Sequence, residues 1–97
     1  MINMVYVLVD HNVKDYAKWK PVFDKSMSMV KKAGGQKRKL FHVSGEPNHV
    51  CVLVEWDTLD NAKKFFTSED LMKAFQESGV IGTPMVIYLD KIEDVKI

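Results

Sequence analysis

Three segments of the sequence consist of strand-forming residues with apolar side chains at every position: residues 5–9, 50–54 and 85–89. A strand with one wet face alternates apolar and polar residues, so these segments predict strands that are buried on both faces. The helices that the rest of the sequence predicts are enough to cover only one face of a sheet. We therefore expect a second copy of the same sheet to cover the other face, which predicts a homodimer.

The composition is that of an ordinary globular protein. A length of 97 residues, with 46% hydrophobic and 28% charged residues, indicates one domain over residues 1–97. The formal net charge of +1 is too close to zero for a dedicated nucleic-acid-binding protein. Cys51 is the only cysteine, which excludes an intramolecular disulfide and favours a reducing, cytoplasmic setting. The apolar N-terminal run ends at Asp10, so no membrane span is expected.

The periodicities along the chain predict the element order β-α-β-β-α-β. Strands are predicted over residues 3–11, 38–44, 49–56 and 85–90, with helical regions after the first and the third. Pro21 predicts a break after Trp19, because its ring would clash with the carbonyl of Ala17. Ser68, followed by acidic residues, predicts a second break with a new N-cap. Right-handed crossovers around a central hairpin give a ferredoxin-like α+β fold, a four-stranded antiparallel sheet with two helices on one face.

Alternation along each strand sorts the side chains into two sets. The first set is wholly apolar and is expected to lie under the helices: Val5, Val7, Val9, Phe41, Val43, Val50, Val52, Val54, Met85, Ile87 and Leu89. The second set mixes polar and apolar groups and is expected to line a cavity between the two sheets of the dimer: Tyr6, Leu8, Asp10, Leu40, His42, Cys51, Leu53, Glu55, Val86 and Tyr88. A concave, mostly apolar pocket with a few polar groups is the default ligand site, so this cavity is the predicted one.

Glu55 and His42 are the candidate catalytic residues of this cavity. A carboxylate flanked by Val54 and Trp56 loses water and must find a partner or take up a proton, so Glu55 can act as a general acid or base. The structural alternative for Glu55 is an ion pair with a lysine or an interchain hydrogen bond. A neutral His42 can shuttle a proton, and the alternative is a hydrogen-bonded core histidine.

Four further residues are candidate ligand contacts. Tyr6 and Tyr88 bring hydroxyl groups that need partners inside a cavity, which makes them ligand contacts or parts of a buried network. Leu53 supplies apolar surface. Phe66 lies beside the predicted helix break and is expected to reach the mouth of the pocket, although core packing is its alternative.

The remaining histidines are not predicted to bind a ligand. His11 ends the first strand near Trp19 and is expected to cap or orient its neighbours. His49 follows the turn and is expected to be exposed. Because the histidines lack the spacing of a metal site, the sequence predicts neither a metal nor a cofactor.

Four segments together resemble one known superfamily: HNVKDYAKWK at 11–20, VEWDTLDNA at 54–62, FFTSEDL at 65–71 and GVIGTP at 79–84. The chain resembles the dimeric α+β barrel superfamily of antibiotic-biosynthesis monooxygenases, small proteins labelled cyclases, and heme-degrading monooxygenases. Heme-degrading members use a helix histidine where this chain has Phe75, Gln76 and Glu77, so the resemblance does not imply heme breakdown. Quinone-forming members use an arginine that has no match in the second half of this chain.

Two classes of function remain open. The first is a cofactor-free monooxygenase or cyclase, in which Glu55 or His42 removes a proton from a small aromatic or polyketide-like ligand. The second is a binding protein for hydrophobic molecules, or a dimeric interaction module, without chemistry. RNA binding would need exposed stacking aromatics, and the third strand reads VCVLVEW instead.

Overall fold

The computed structural model describes residues 5–97 and has the element order β-α-α-β-β-α-α-β. The strands are β1 (Val5–Val13), β2 (Gly35–Val43), β3 (Glu46–Trp56) and β4 (Val80–Asp90). The helices are α1 (Tyr16–Lys25), α2 (Met27–Ala33), α3 (Leu59–Phe66) and α4 (Glu69–Glu77). One antiparallel sheet has the strand order β2-β3-β1-β4, which confirms the predicted ferredoxin-like fold. The predicted start of the first strand, at residue 3, lies outside the described residues.

The first helical region is divided in two, but not at Pro21. The α1 helix continues through Pro21 as far as Lys25, and the break comes at Ser26. The Ser26 hydroxyl donates a hydrogen bond to the Phe23 carbonyl at 2.6 Å, which helps to end the helix there. The predicted break was wrong because Trp19 and Phe23, on either side of the proline, stack with ring centroids 4.5 Å apart and keep one apolar stripe on the core.

The second helical region breaks where the sequence predicted. The α4 helix begins after Ser68, whose hydroxyl accepts a hydrogen bond from the Leu71 N–H at 3.3 Å. Glu69 and Asp70 follow in the first turn, where negative charge stabilises a helix N-terminus. Among residues 5–97, no helix is long and apolar enough to cross a membrane.

The hydrophobic core lies between the sheet and the helices. Its members are Val5, Val7, Val9, Val13, Trp19, Val50, Val52, Val54, Trp56, Ala62, Phe65, Phe66 and Leu71. The valines of β1 and β3 lie on the face that was predicted to be under the helices. At the end of β3, Trp56 is fully buried against the rings of Phe65 and Phe66.

The predicted face of β2 is wrong. Leu40 pairs with Val52, and His42 pairs with Val50. Directly opposite residues of neighbouring strands share a face, so both side chains belong to the helix-covered face. Phe41, which was expected under the helices, belongs to the other face.

The predicted face of β4 is wrong as well. Val86 pairs with Val9 and Tyr88 with Val7, which puts both residues on the helix-covered face. Alternation then places the neighbouring large residues of β4, Met85, Ile87 and Leu89, on the opposite side of the sheet.

We call the opposite side the open face, because no helix of the described chain lies over it. It consists of Tyr6, Leu8, Asp10, Asn12, Lys37, Lys39, Phe41, His49, Cys51, Leu53, Glu55, Met85, Ile87 and Leu89. Phe41 and Met85 are 52% and 57% exposed, and Ile87 and Leu89 are 38% and 39% exposed. A contiguous exposed apolar patch of this kind is typical of an interaction surface.

The pairing of β1 with β4 is interrupted beside His11. Asp10 pairs with Met85 and Asn12 with Ile81, so residues 82–84 of β4 face the single residue His11 of β1. In this bulge Gly82 has φ of +71°, a left-handed conformation that costs glycine little. On the other side of β1, His11 keeps its regular partner Val50.

Candidate functional site

A cavity of about 70 Å³ lies between the helix-covered face of the sheet and the helices. Its walls come from β1, β2 and β3 on one side and from all four helices on the other. Most of the lining is aliphatic or aromatic, and the polar exceptions are His11, Ser26, Arg38 and Ser78. The volume is roughly half that of an engineered apolar cavity of about 150 Å³ that binds benzene, so the cavity must expand to hold a flat one-ring ligand.

The imidazole of His11 is the unusual polar group of this cavity. His11 is 5% exposed, and neither of its ring nitrogens has a hydrogen-bond partner. The ring centroids of Trp19 and Phe75 lie 5.6 and 5.9 Å from that of His11. Burial lowers the pKa of His11 to about 4, although the nearby charge of Asp10 raises it. His11 is therefore neutral at pH 7 and has one ring nitrogen free to accept a proton.

The capping role expected for His11 is wrong, since its nitrogens contact no backbone group. The position follows from alternation along β1, which gives Val9, His11 and Val13 the same face. A histidine between two valines on a wholly apolar strand face was the sequence signal for this site. It was passed over because the ligand site was expected on the other face.

Arg38 lies at the other end of the cavity. It pairs with Val54, four residues along β3 from Val50, the partner of His11, which corresponds to roughly 13 Å along the strand. Its guanidinium lies 3.6 Å from the Phe23 ring centroid and donates hydrogen bonds of 3.2 Å to the Phe23 carbonyl and the Ser26 hydroxyl. Burial lowers the pKa of Arg38, and the charge of Asp24 opposes this effect. The guanidinium stays protonated and already has partners within the fold.

Two of the predicted site residues meet on the open face. The Tyr6 hydroxyl donates a hydrogen bond of 2.9 Å to Glu55 Oε1. Leu53 pairs with Leu8 and lies two residues before Glu55, on the same side of β3. The partner of Glu55 is thus a tyrosine rather than a lysine, and the catalytic role of Glu55 stays a prediction.

The other three predicted site residues do not join Glu55. His42 is exposed near the end of β2, where its Nδ1 lies 3.0 Å from the Val43 carbonyl. Phe66 is buried in the core and lines the cavity beneath the helices. Tyr88 is half-buried and packs against the core from β4. The prediction of one cavity containing all six residues is wrong. The side chains of the edge strands β2 and β4 face the side of the sheet opposite to the predicted one, and Phe66 packs in the core.

Among the described residues, one group of side chains has the composition and spacing of a metal site. Asp10, His49 and Cys51 bring ligand atoms to within 4.8 Å of one another on the open face. His49 was expected to be exposed, but its Nε2 lies 2.5 Å from Asp10 Oδ1. Spacings between histidines and between cysteines predict no metal site, and the mixed pair His49-x-Cys51 on one side of a strand is the signal in the sequence that points to this cluster.

The fold is shared with solved structures of proteins named for antibiotic biosynthesis. A candidate antibiotic biosynthesis monooxygenase from Bordetella bronchiseptica has a TM-score of 0.80 at 18% identity, over 94% of this chain and 99% of its own. A second, from Caulobacter crescentus, has a TM-score of 0.74 at 23% identity, over 94% and 92% of the two chains. SnoaB, a cofactor-independent oxygenase from Streptomyces nogalater, has a TM-score of 0.78 at 11% identity, over 96% and 97%.

These likenesses establish the fold alone, because the identities are low. At the level of the fold, they confirm the resemblance that the sequence predicted. No protein-family model matches the chain, and no curated protein matches it.

Proposed function

We propose that the protein binds a small, flat phenolic ligand in the cavity beneath the helices and oxidises it with molecular oxygen, with His11 as general base. The observation that favours this function is the buried, neutral imidazole without a partner among aromatic rings. A buried polar group without a hydrogen bond costs about 1–3 kcal/mol, which a ligand hydroxyl would recover. The cofactor-independent oxygenase SnoaB has the same fold, which supports this class of chemistry.

The reaction needs only a base, a dry cavity and oxygen. His11 takes the phenolic proton, and the electron-rich phenolate ring forms a carbon–oxygen bond with O₂. The peroxide anion takes back the proton from His11, and the resulting hydroperoxide loses water as its O–O bond breaks, so that the carbon becomes the second carbonyl of a quinone. The phenol thus loses two hydrogens and gains one oxygen atom, and the other oxygen atom leaves as water.

The cavity favours the charge separation in the first step of this reaction. The pKa of His11 is low because burial penalises the imidazolium in the empty cavity. A phenolate beside the ring supplies the missing counter-charge, and the low dielectric of the cavity strengthens this attraction. Arg38 lines the other end of the cavity, where Asp24 Oδ1 lies 3.9 Å from its guanidinium and balances part of its charge.

The open face supports a second part of the proposal, a homodimer in which the open faces of two copies pack together. Phe41, Met85, Ile87 and Leu89 would each gain roughly 0.5–1.5 kcal/mol from covering surface that is now exposed. In such a dimer the Tyr6–Glu55 hydrogen bond would be buried. A ligand site between the sheets with Glu55 as base is therefore the second candidate.

Two variants separate the candidates. We expect phenols, quinols or polyketide-like acids to raise the melting temperature, and the same compounds to cause oxygen uptake. His11→Gln, which keeps a polar side chain of similar length, should lower turnover by about 10²–10⁴ while ligand affinity changes much less. Glu55→Gln and, as a control at an exposed histidine, His42→Gln should leave turnover unchanged.

The opposite results identify the alternatives. Loss of turnover in Glu55→Gln, with His11→Gln active, would move the site to the open face. Ligand binding without oxygen uptake in the unmodified protein would make it a binding protein. If no aromatic compound raises the melting temperature, the cavity is not a ligand site.

A further inference from the structure

Asp10, His49 and Cys51 form a three-residue cluster across the two central strands. Asp10 of β1 pairs directly with Cys51 of β3, and His49 lies two residues before Cys51 on the same side of β3. All three side chains are partly buried, and their ligand atoms lie within 4.8 Å of one another. The sheet, rather than a loop, therefore determines the spacing of the three groups.

We propose that this cluster binds a zinc ion. An imidazole nitrogen, a thiolate and a carboxylate are the ligand types that zinc uses, and they are too soft a set for magnesium or calcium. Tetrahedral bonds of about 2.0–2.3 Å put ligand atoms roughly 3.3–3.7 Å apart. The ligand atoms of the cluster lie within 4.8 Å of one another, so they must approach by about 1 Å to reach that geometry, a distance that side-chain rotations can supply.

The contacts of His49 fit this role. Its Nε2 now shares a hydrogen bond with Asp10 Oδ1 at 2.5 Å, and the ion would replace the shared proton. On the other side of the ring, Nδ1 lies 3.6 Å from Glu46 Oε1. When Nδ1 carries the remaining proton and donates it towards Glu46, Nε2 presents its lone pair to the ion. Metal-binding histidines are commonly oriented by such a carboxylate.

Three protein ligands leave one position of a tetrahedral ion open. On the open face this position is available to water or to a group from a second copy. The site is therefore compatible with a monomer and with a homodimer. The proposed zinc site does not depend on the cavity beneath the helices, because its three ligands face the other side of the sheet.

Cobalt(II) is the probe for this site, because a thiolate bound to cobalt absorbs in the near ultraviolet. We expect titration of the reduced, untagged full chain to saturate at one ion per chain and to show the strong visible bands of tetrahedral cobalt. One equivalent of zinc should then abolish both absorptions. Since Cys51 is the only cysteine, Cys51→Ser should remove the near-ultraviolet band completely.

The other variants test the remaining ligands. His49→Gln and Asp10→Asn should each weaken cobalt binding by at least about tenfold, and Glu46→Gln should weaken it by about tenfold through the orientation of the ring. His42→Gln, at an exposed histidine outside the cluster, should bind as the unmodified protein does. Circular dichroism checks that each variant is folded. The proposal is overturned if no saturable band forms, or if folded Cys51→Ser or His49→Gln binds cobalt as tightly as the unmodified chain.

Discussion

The two faces of the sheet differ in the burial of their apolar side chains and in the pairing of one polar group. On the helix-covered face the valines of β1 and β3 that belong to the core are at most 7% exposed, and the buried imidazole of His11 has no partner. On the open face large apolar residues are 38–57% exposed, while polar groups are paired, as in Tyr6–Glu55 and Asp10–His49. A polar group that is buried without a partner is costly, so the covered face is where a ligand has most to contribute.

The same contrast appears in two histidines on neighbouring strands. Burial lowers the pKa of His11 to about 4. The hydrogen bond that His49 donates to the Asp10 carboxylate raises the pKa of His49, and Glu46 adds to this effect. Lowering the pH therefore destabilises the folded protein through His11 on the helix-covered face. On the open face it strengthens the ion pair of His49 with Asp10.

The largest expected effect on the stability of one chain concerns the helix-covered face. It tests whether the packing of that face is complete within that chain. Trp56→Ala should lower the free energy of unfolding by about 3–5 kcal/mol, because it leaves a large cavity beside Phe65 and Phe66. Urea unfolding should show the same loss at every protein concentration. Phe41→Ala, on the open face, should lose stability only at concentrations where the protein is dimeric. A concentration-dependent loss for Trp56→Ala would break the distinction between the faces.

A charge on the open face tests whether that face is an interface. Leu53→Asp should weaken the dimer by roughly ten-thousandfold or more, because each of the two copies would bury an unpaired carboxylate at a cost of about 3–5 kcal/mol. Light scattering at micromolar concentration should then give the monomer mass. Leu53→Met, of nearly equal volume, should remain dimeric. A monomeric unmodified protein would refute the pairing of open faces outright.

A pH series sharpens the comparison between the histidines. Between pH 6.5 and about 4 the unfolded chain binds a proton at His11 that the folded chain does not, so stability should fall as the pH decreases through this window. The expected loss is about 2–3 kcal/mol, with an allowance for partial access of water. His11→Leu should lack this loss in urea unfolding at pH 7 and pH 4.5. An equal loss in both proteins would show that other groups determine the pH dependence.

The sequence was informative for the central strands. In β1 and β3, one parity consists of valines and the other contains Tyr6, Asp10 and Glu55, so the pattern itself distinguishes the two faces. The helix break at Ser68 was predictable for a similar reason, because an N-cap is a local interaction of a hydroxyl with a nearby N–H.

The edge strands were not predictable in this way. In β4, Met85 and Ile87 on one side and Val86 and Tyr88 on the other are all apolar, so alternation does not say which set faces the helices. The pairing register decides, and it shifts between His42 and Val43 in β2 and at residues 82–84 in β4. The cluster of Asp10, His49 and Cys51 also depends on the pairing of Asp10 with Cys51 across two strands, which the spacing of His49 and Cys51 along β3 does not reveal.

The bulge opposite His11 has a consequence for how the molecule can open. It separates the six β1–β4 pairs from Val5 to Asp10 from the two pairs at Asn12 and Val13. The short stretch has few hydrogen bonds to break, so its amides form a small cooperative unit that exchanges with water without opening the longer ladder.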